Sequence, residues 1–582
     1  MPSLNITKKD LAVRGSIISE DNFKIATSIK IYTAGIDTRS LDINKKELFI
    51  KLFSIYSNIE EEKLRKKIDK SLKKPSFLIL SRNISSRDAK NLKLLSYKLR
   101  KLRVFKAIKL NGSRVVYGLS IYETGEDRIY PYKDTLTPVI GYVRAENNRN
   151  KKVKVNGIKG LEKNYNSELN RVRDGILKGE RDVNSYIIFN RDSKIITRKD
   201  GQNIELNIPL RLQKNIELIL DEHKKKLEAD EIIASIMDSK SGKILTLASS
   251  NRFNPARIKQ EEIPYLNVNA IEQTFEPGSI IKPIAISLAL EHRKVTLDEL
   301  LPAHNKWQTY WKNGKKLKRR TKKNKKGVYP KGAIKIDKWI IRDDHQFEKN
   351  FLTLEDIIIH SSNIGTLLLA NRLSAKELLD GYYAFGITKK TGIDLPYEKV
   401  GILPKLYQLR AGEDKGKLNV FKSTISYGQG MRSSFMQILR AYSVFNNDGK
   451  IVTPMIAKKE HIIQPKQVIS KLTANRMKDF LIKTVKKGTG KKALYDGLEI
   501  GGKTGTAKIA KGGHYKRKYI SSFFGFANDD KNRYTIGVSV NNPISTGKYW
   551  YYYYASHSAV PIFKQIVETM VKLNYLHPNS NK

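Results

Sequence analysis

The chain has 582 residues, no cysteine and a net charge of +51. That length calls for two or three cores rather than one, and the absence of cysteine excludes disulfides and thiolate metal sites. No apolar run reaches the roughly 18 residues of a transmembrane helix, and no zinc-finger, RRM or KH pattern accompanies the charge, so solvated lysine faces are expected and nucleic acid is not expected as a partner.

In chain order, the polar opening holds a first strand at 14–18, and a leading anchor is expected to have been trimmed ahead of it. Residues 31–201 read as mixed α/β. Helical periods cover 46–56 and 60–72, and strands cover 77–80 and 115–121. A boundary near 199–202 divides an N-terminal domain, 1–202, from a second domain, 203–576, with a loose tail at 577–582. The second domain opens with a strand at 204–208 and a long helix at 211–227. A hairpin follows, 231–237 with 243–248, and another comes far downstream, 519–527 with 533–540. The two hairpins fit one antiparallel sheet closed over a helical insertion, an α+β fold. Inside the insertion, nine of the twelve residues 315–326 are Lys or Arg. Such a block repels itself and is expected to be a solvated loop, the alternative being a tether to an anionic surface. A helix at 561–575 ends the domain.

Three short motifs carry chemistry. The first is Ser279-Ile280-Ile281-Lys282, after the turn formers Pro277-Gly278 and at the head of an apolar helix. Residues three apart share a helix face, so Lys282 can take the proton of the Ser279 hydroxyl if the lysine is neutral. The second is Ser361-Ser362-Asn363, between two helical runs at 354–360 and 364–373, where hydroxyl and amide groups can face a cleft. The third is Lys503-Thr504-Gly505-Thr506 on a strand beginning near residue 498. Thr504 and Thr506 share a parity, Gly505 allows close approach to the backbone, and Lys503 adds a cation. Hydroxyls with an ammonium suit a carboxylate. Each motif alone fits a cap, a surface lysine or a chance triplet. S-x-x-K, S-x-N and K-T-G in this order form the set of penicillin-binding proteins and serine β-lactamases.

The chain resembles a class B penicillin-binding protein of the division-associated type, over nearly its whole length. Arg14-Gly15-Ser16-Ile17, Arg128-Ile129-Tyr130-Pro131, Gly141-Tyr142-Val143 and Gly157 to Glu162 are similar to the pedestal motifs of that family. Tyr427-Gly428-Gln429-Gly430 and Gly488-Thr489-Gly490 are similar to stretches of its transpeptidase domain. The aromatic run Tyr549 to Tyr554 departs from a usually glycine-rich stretch, and it either packs the domain face or stacks on substrate. The resemblance implies an elongated α/β pedestal before a D,D-transpeptidase domain. It implies peptidoglycan stem peptides as substrate, β-lactam antibiotics as ligands and no cofactor. It also implies a glycan polymerase and division proteins as partners, at the periplasmic side of the inner membrane. Ser279 would be the nucleophile, Lys282 its base and Ser361 the proton relay. Asn363 would hold the peptide backbone. Lys503, Thr504, Gly505 and Thr506 would bind the terminal carboxylate, with the Ser279 and Thr506 N–H groups as oxyanion hole. Lys503 and burial together are expected to depress Lys282.

Three other readings stand beside this one. A β-lactamase would need a water-activating group. Glu398 is the candidate, although Ile402 stands where its asparagine partner is expected. A non-catalytic scaffold would act through residues 30–200, and a polyanion binder would act through charge alone.

Overall fold

The computed structural model describes residues 5–579 apart from 111–112, 148–152, 182–186, 189, 192, 304–306, 313–314, 321–332, 345–346, 348, 350, 460–462 and 512–513. The N-terminal domain is built on one long strand, Lys24–Asp37, flanked by antiparallel strands Phe77–Ser85 and Ser120–Ile129. Helices Lys46–Ser57, Glu61–Leu72 and Ser86–Lys101 lie near 46–56 and 60–72 as expected, with a third that periodicity had not singled out. Each buries one stripe, such as Leu92, Leu95 and Leu99, against Ala34, Ile36 and Leu80 of the sheet. The run 115–121 is not one strand. It divides into Ser113–Val115 and Ser120–Ile129, which belong to different sheets.

The base of this domain carries buried charge. Arg14 and Arg128 both contact Glu162, at 2.9 and 2.7 Å, and all three side chains are shielded from solvent. Arg14 spends its remaining donors on Asn166, Asn170 and the Glu162 carbonyl. These are the arginines and the glutamate of the pedestal motifs. Ile17–Ile18 pairs in parallel with Ile204–Glu205, and Asp21 accepts the N–H groups of Leu210 and Arg211 at 2.8 and 3.2 Å. Ile17, Ile25 and Tyr130 therefore share one apolar cluster with residues of the second half, such as Ile208 and Ile244.

In the second half, α1 (Leu210–Leu227) leads to β1 (Glu231–Asp238) and β2 (Ile244–Ser249). α2 (Lys282–Glu291) is buried nearly all round. A hairpin of β3 (Ala333–Ile336) and β4 (Trp339–Arg342) precedes α3 (Leu354–Ile359) and α4 (Asn363–Ala370). Then come α5 (Phe435–Asn446), α6 (Lys471–Lys487), β5 (Glu499–Lys511), β6 (His514–Asn528), β7 (Arg533–Asn541) and α7 (Ala559–Lys572). The two hairpins join as expected. The sheet order is β2-β1-β7-β6-β5, antiparallel throughout, with β5 at an edge.

Alternate residues face opposite layers. Phe523 and Val538 pack with α1 and α7, while Phe524 and Phe526 join the α5–α6 side. Helices on both faces explain why β7 is buried through its whole interior. The basic block is not the loop expected from its charge. Its first half forms a strand, Lys315–Arg320, paired with Trp307–Lys312. Residues 321–326 lie outside the described residues.

Candidate active site

Ser279 sits on a 3-10 turn, Gly278–Ile281, and the α-helix begins only at Lys282. Residues three apart eclipse on a 3-10 turn, so Ser279 and Lys282 start from one side of it, while the hydrogen bonds of the Lys282 ammonium go to Ser361. Two contacts fix the turn. The Tyr442 hydroxyl donates to the Ile280 carbonyl at 2.6 Å, and the Gly278 N–H donates to the Gly428 carbonyl at 3.0 Å. A Cβ at Gly428 would stand 2.2 Å from the Gly278 carbonyl oxygen, so this crossing requires glycine.

Lys282 is fully buried. Its ammonium donates to Ser361 twice, to the carbonyl oxygen at 2.6 Å and to Oγ at 3.1 Å. The serine turn and the helix corner are thereby joined through the lysine. Ser361 takes a left-handed backbone, φ 58°, a conformation that costs a serine about 1–3 kcal/mol and that fixed surroundings must hold. Ser362 caps α4, accepting the Gly365 N–H at 2.9 Å. Asn363 Nδ2 donates to the Arg342 carbonyl at 2.8 Å, so its amide is already engaged at the end of the β3–β4 hairpin.

On edge strand β5, Lys503 pairs across from Phe524 and its side chain is wholly buried. Its ammonium donates to the Thr504 carbonyl at 3.2 Å. Thr504 and Thr506 have the opposite parity. The Thr504 hydroxyl shares a 2.6 Å hydrogen bond with that of Thr489, and Thr506 Oγ1 accepts the Ala555 N–H at 3.3 Å. A Cβ at Gly505 would lie 2.8 Å from Ile280 Cγ2 and 3.2 Å from the Pro277 carbonyl oxygen. The glycine lets β5 close on the serine turn, bringing the first and third motifs together.

Burial pulls Lys282 down to about 8, while the charges of Asp344 and Asp343 oppose the fall. Burial also lowers Lys503 far below an ordinary lysine, and the charge of Lys282 pushes it further down. Burial is thus the main cause that depresses Lys282, and the two ammonium groups repel each other.

Two residues of the site escaped sequence reasoning. Asp343 is buried and accepts the N–H groups of Asn363 and Ile364 at 2.5 and 3.1 Å and the Ser362 hydroxyl at 3.2 Å. It lies outside the local capping window of the helix it serves. Thr489 was read only as part of a glycine-flanked triplet, and its bond to Thr504 depends on tertiary packing. Glu398, the possible water activator, accepts the Thr391 N–H and hydroxyl at 2.7 and 2.6 Å, which fastens it to its own turn. The aromatic run packs partly on the domain face. Tyr553 stacks on Tyr519 with ring centres 4.4 Å apart, whereas Tyr549, Trp550 and Tyr554 remain exposed.

Comparison with known proteins agrees with this layout. The family model described as penicillin binding protein transpeptidase domain matches residues 232–326 and 311–568, and the penicillin-binding protein dimerisation domain matches 9–206. The chain is 29% identical to stage V sporulation protein D of Bacillus subtilis over 549 residues, 92% of this chain and 75% of that protein. It is 27% identical over 428 residues to peptidoglycan D,D-transpeptidase FtsI of Buchnera aphidicola subsp. Schizaphis graminum, 73% of this chain and 67% of that protein. Among solved structures, penicillin binding protein 3 of Mycobacterium tuberculosis in complex with aztreonam shares the fold. Its TM-score is 0.64 at 20% identity, with 98% of each chain covered. With one family model spanning the domain that holds all three motifs and another spanning the domain before it, the chain belongs to the class B penicillin-binding proteins.

Proposed function

We propose that this protein is a serine D,D-transpeptidase that crosslinks peptidoglycan stem peptides outside the cytoplasm, in septal wall synthesis. The observation that carries this reading is the buried Lys282 beside the serine turn, bonded to Ser361 and depressed to about 8. A lysine in that state can act as a base near neutral pH. Family membership supports the reaction class, and the relative named peptidoglycan D,D-transpeptidase FtsI supports the septal role. The aztreonam complex of a fold relative supports β-lactams as ligands.

In this reading Ser279 Oγ attacks the carbonyl of the penultimate D-alanine and passes its proton to Lys282. Lys503, Thr504 and Thr506 hold the terminal carboxylate, and Gly505 permits the close approach. The N–H groups of Ser279 and Thr506 receive the oxyanion, a contribution of about 3–4 kcal/mol. Ser361 returns the proton to the departing D-alanine amine, and Asn363 holds the peptide backbone. An amine of a second stem peptide then attacks the Ser279 ester, forming the amide and freeing the hydroxyl. A membrane-embedded glycan polymerase and division proteins are its proposed partners.

The test is intact mass after exposure to a labelled penicillin. One adduct on the peptide carrying Ser279 is expected, with negligible turnover of excess penicillin. Sustained hydrolysis, converted to a trapped adduct by Glu398→Gln, would replace this reading with a β-lactamase.

A further inference from the structure

The Ser361–Asn363 corner is clamped from outside its own helices. Four groups of its first turn bond to residues 342–343 at the end of the β3–β4 hairpin. They are the Asn363 N–H, the Ile364 N–H and the Ser362 hydroxyl to Asp343, and Asn363 Nδ2 to the Arg342 carbonyl. The hairpin has its own seat on α4. Ile334, Ile336 and Ile341 form a cluster with Ile364, Leu367 and Tyr427, separate from the main core. Asp343 is 2% exposed, so water does not replace these bonds. Directly before the clamped residues, Ser361 holds its left-handed turn with its carbonyl and Oγ against Lys282, so the clamp sets where that turn begins and ends.

We propose that Asp343 is a positioning residue of the acylation reaction, holding the Ser361–Asn363 corner in register with Lys282 from the end of the β3–β4 hairpin. It touches neither substrate nor the attacked carbonyl in this assignment. It rests on the transpeptidase reading of the site, because register matters only if Ser361 and Lys282 exchange a proton. Two properties of Asp343 are separable. Its oxygens align the corner, and its negative charge favours the ammonium form of Lys282. The charged groups around it are Lys282 from α2, with Lys503 of β5 coupled to that lysine, and Arg342 and Asp344 on either side in the chain. The first turn of α4 brings only N–H groups, Ser362 and Asn363.

Asparagine at 343 keeps the shape and one acceptor but leaves the Ser362 hydroxyl proton without its carboxylate. Glutamate keeps the charge but moves it by one methylene. The experiment follows acylation of the wild type, Asp343→Asn and Asp343→Glu by a fluorescent penicillin, separating the binding constant from the acylation rate across pH. Thermal unfolding is followed alongside. For both variants the acylation plateau is expected to fall about 10–100-fold while binding changes less than about threefold. The acid limb of Asp343→Asn should move to lower pH, because a negative charge beside Lys282 is gone. That of Asp343→Glu should stay near the wild type. A purely structural residue would lower the unfolding midpoint and the active fraction without moving the limb. A plateau equal to the wild type, a loss confined to binding, or an unmoved limb in the asparagine variant overturns the assignment. Failure of the wild type to form any Ser279 adduct instead overturns the transpeptidase reading, and this proposal with it.

Discussion

Replacing Lys282 with methionine is expected to stabilise the protein while abolishing its acylation. The ammonium is fully buried, and its fall from 10.5 to about 8 corresponds to roughly 3 kcal/mol of unfavourable charge burial. Methionine fills similar volume without that charge. Against the gain stand two lost bonds to Ser361, about 1 kcal/mol each in net terms, and Ser361 is partly open to water that can replace them. Lys503 is also relieved of a neighbouring charge. The net expectation at pH 7 is a gain of about 1–2 kcal/mol, read from equilibrium guanidinium unfolding. The sign of the pH dependence is fixed. Between the folded value near 8 and the unfolded value of 10.5 the unfolded wild type binds more protons, so its stability rises with pH in that window. Methionine has no such window. Its advantage should therefore shrink by roughly 2 kcal/mol between pH 7 and about 9.5. No gain at pH 7, or a gain that does not change with pH, would refute the claim that Lys282 is held as a strained, partly neutral base.

Acylation by penicillin should rise with pH through a limb near 8, the value to which burial brings Lys282, and a flat stopped-flow profile would count against a base role. Ser279→Ala should fold normally and take no adduct, checked by intact mass. Gly505→Ala should cost about 1–3 kcal/mol and most of the acylation rate, because its Cβ meets Ile280 Cγ2 at 2.8 Å. An unchanged melting point and rate would mean the strand can yield. Glu162→Gln should destabilise by about 3–5 kcal/mol by leaving two buried arginines short of their counter-charge, seen as a lowered unfolding midpoint of the full chain.

The motifs were legible because their chemistry is local. A serine and a lysine three apart share a side whether the turn is α or 3-10, and the parity of Thr504 and Thr506 survives any twist of β5. The sheet followed from two alternating hairpins. What stayed hidden depended on distant partners. Asp343 caps a helix from the end of another element, and nothing near residue 343 marks it as a cap. The charge of the block 315–326 taken alone predicts a solvated loop, yet its first half, 315–320, is a strand. Its partner, Trp307–Lys312, is rich in aromatic residues that favour strands, and pairing with it prevailed. The burial that depresses both Lys282 and Lys503 is something no spacing reveals.

The fastening of Arg14 has a mechanical consequence. Every branch of its guanidinium is tied, to Glu162, Asn166 and Asn170, just behind the strand Asn5–Asp10, which itself pairs with Gly175–Arg181. The next strand, Ile17–Ile18, is loaded in shear against Ile204–Glu205. A pull applied ahead of residue 5 would meet the Asn5–Asp10 pairing first and the Arg14 cluster behind it. The serine turn has its own seat, on Tyr442 and Gly428 in the second half. Placed one behind the other, the two fastenings form a strain relief between the start of the fold and the serine turn.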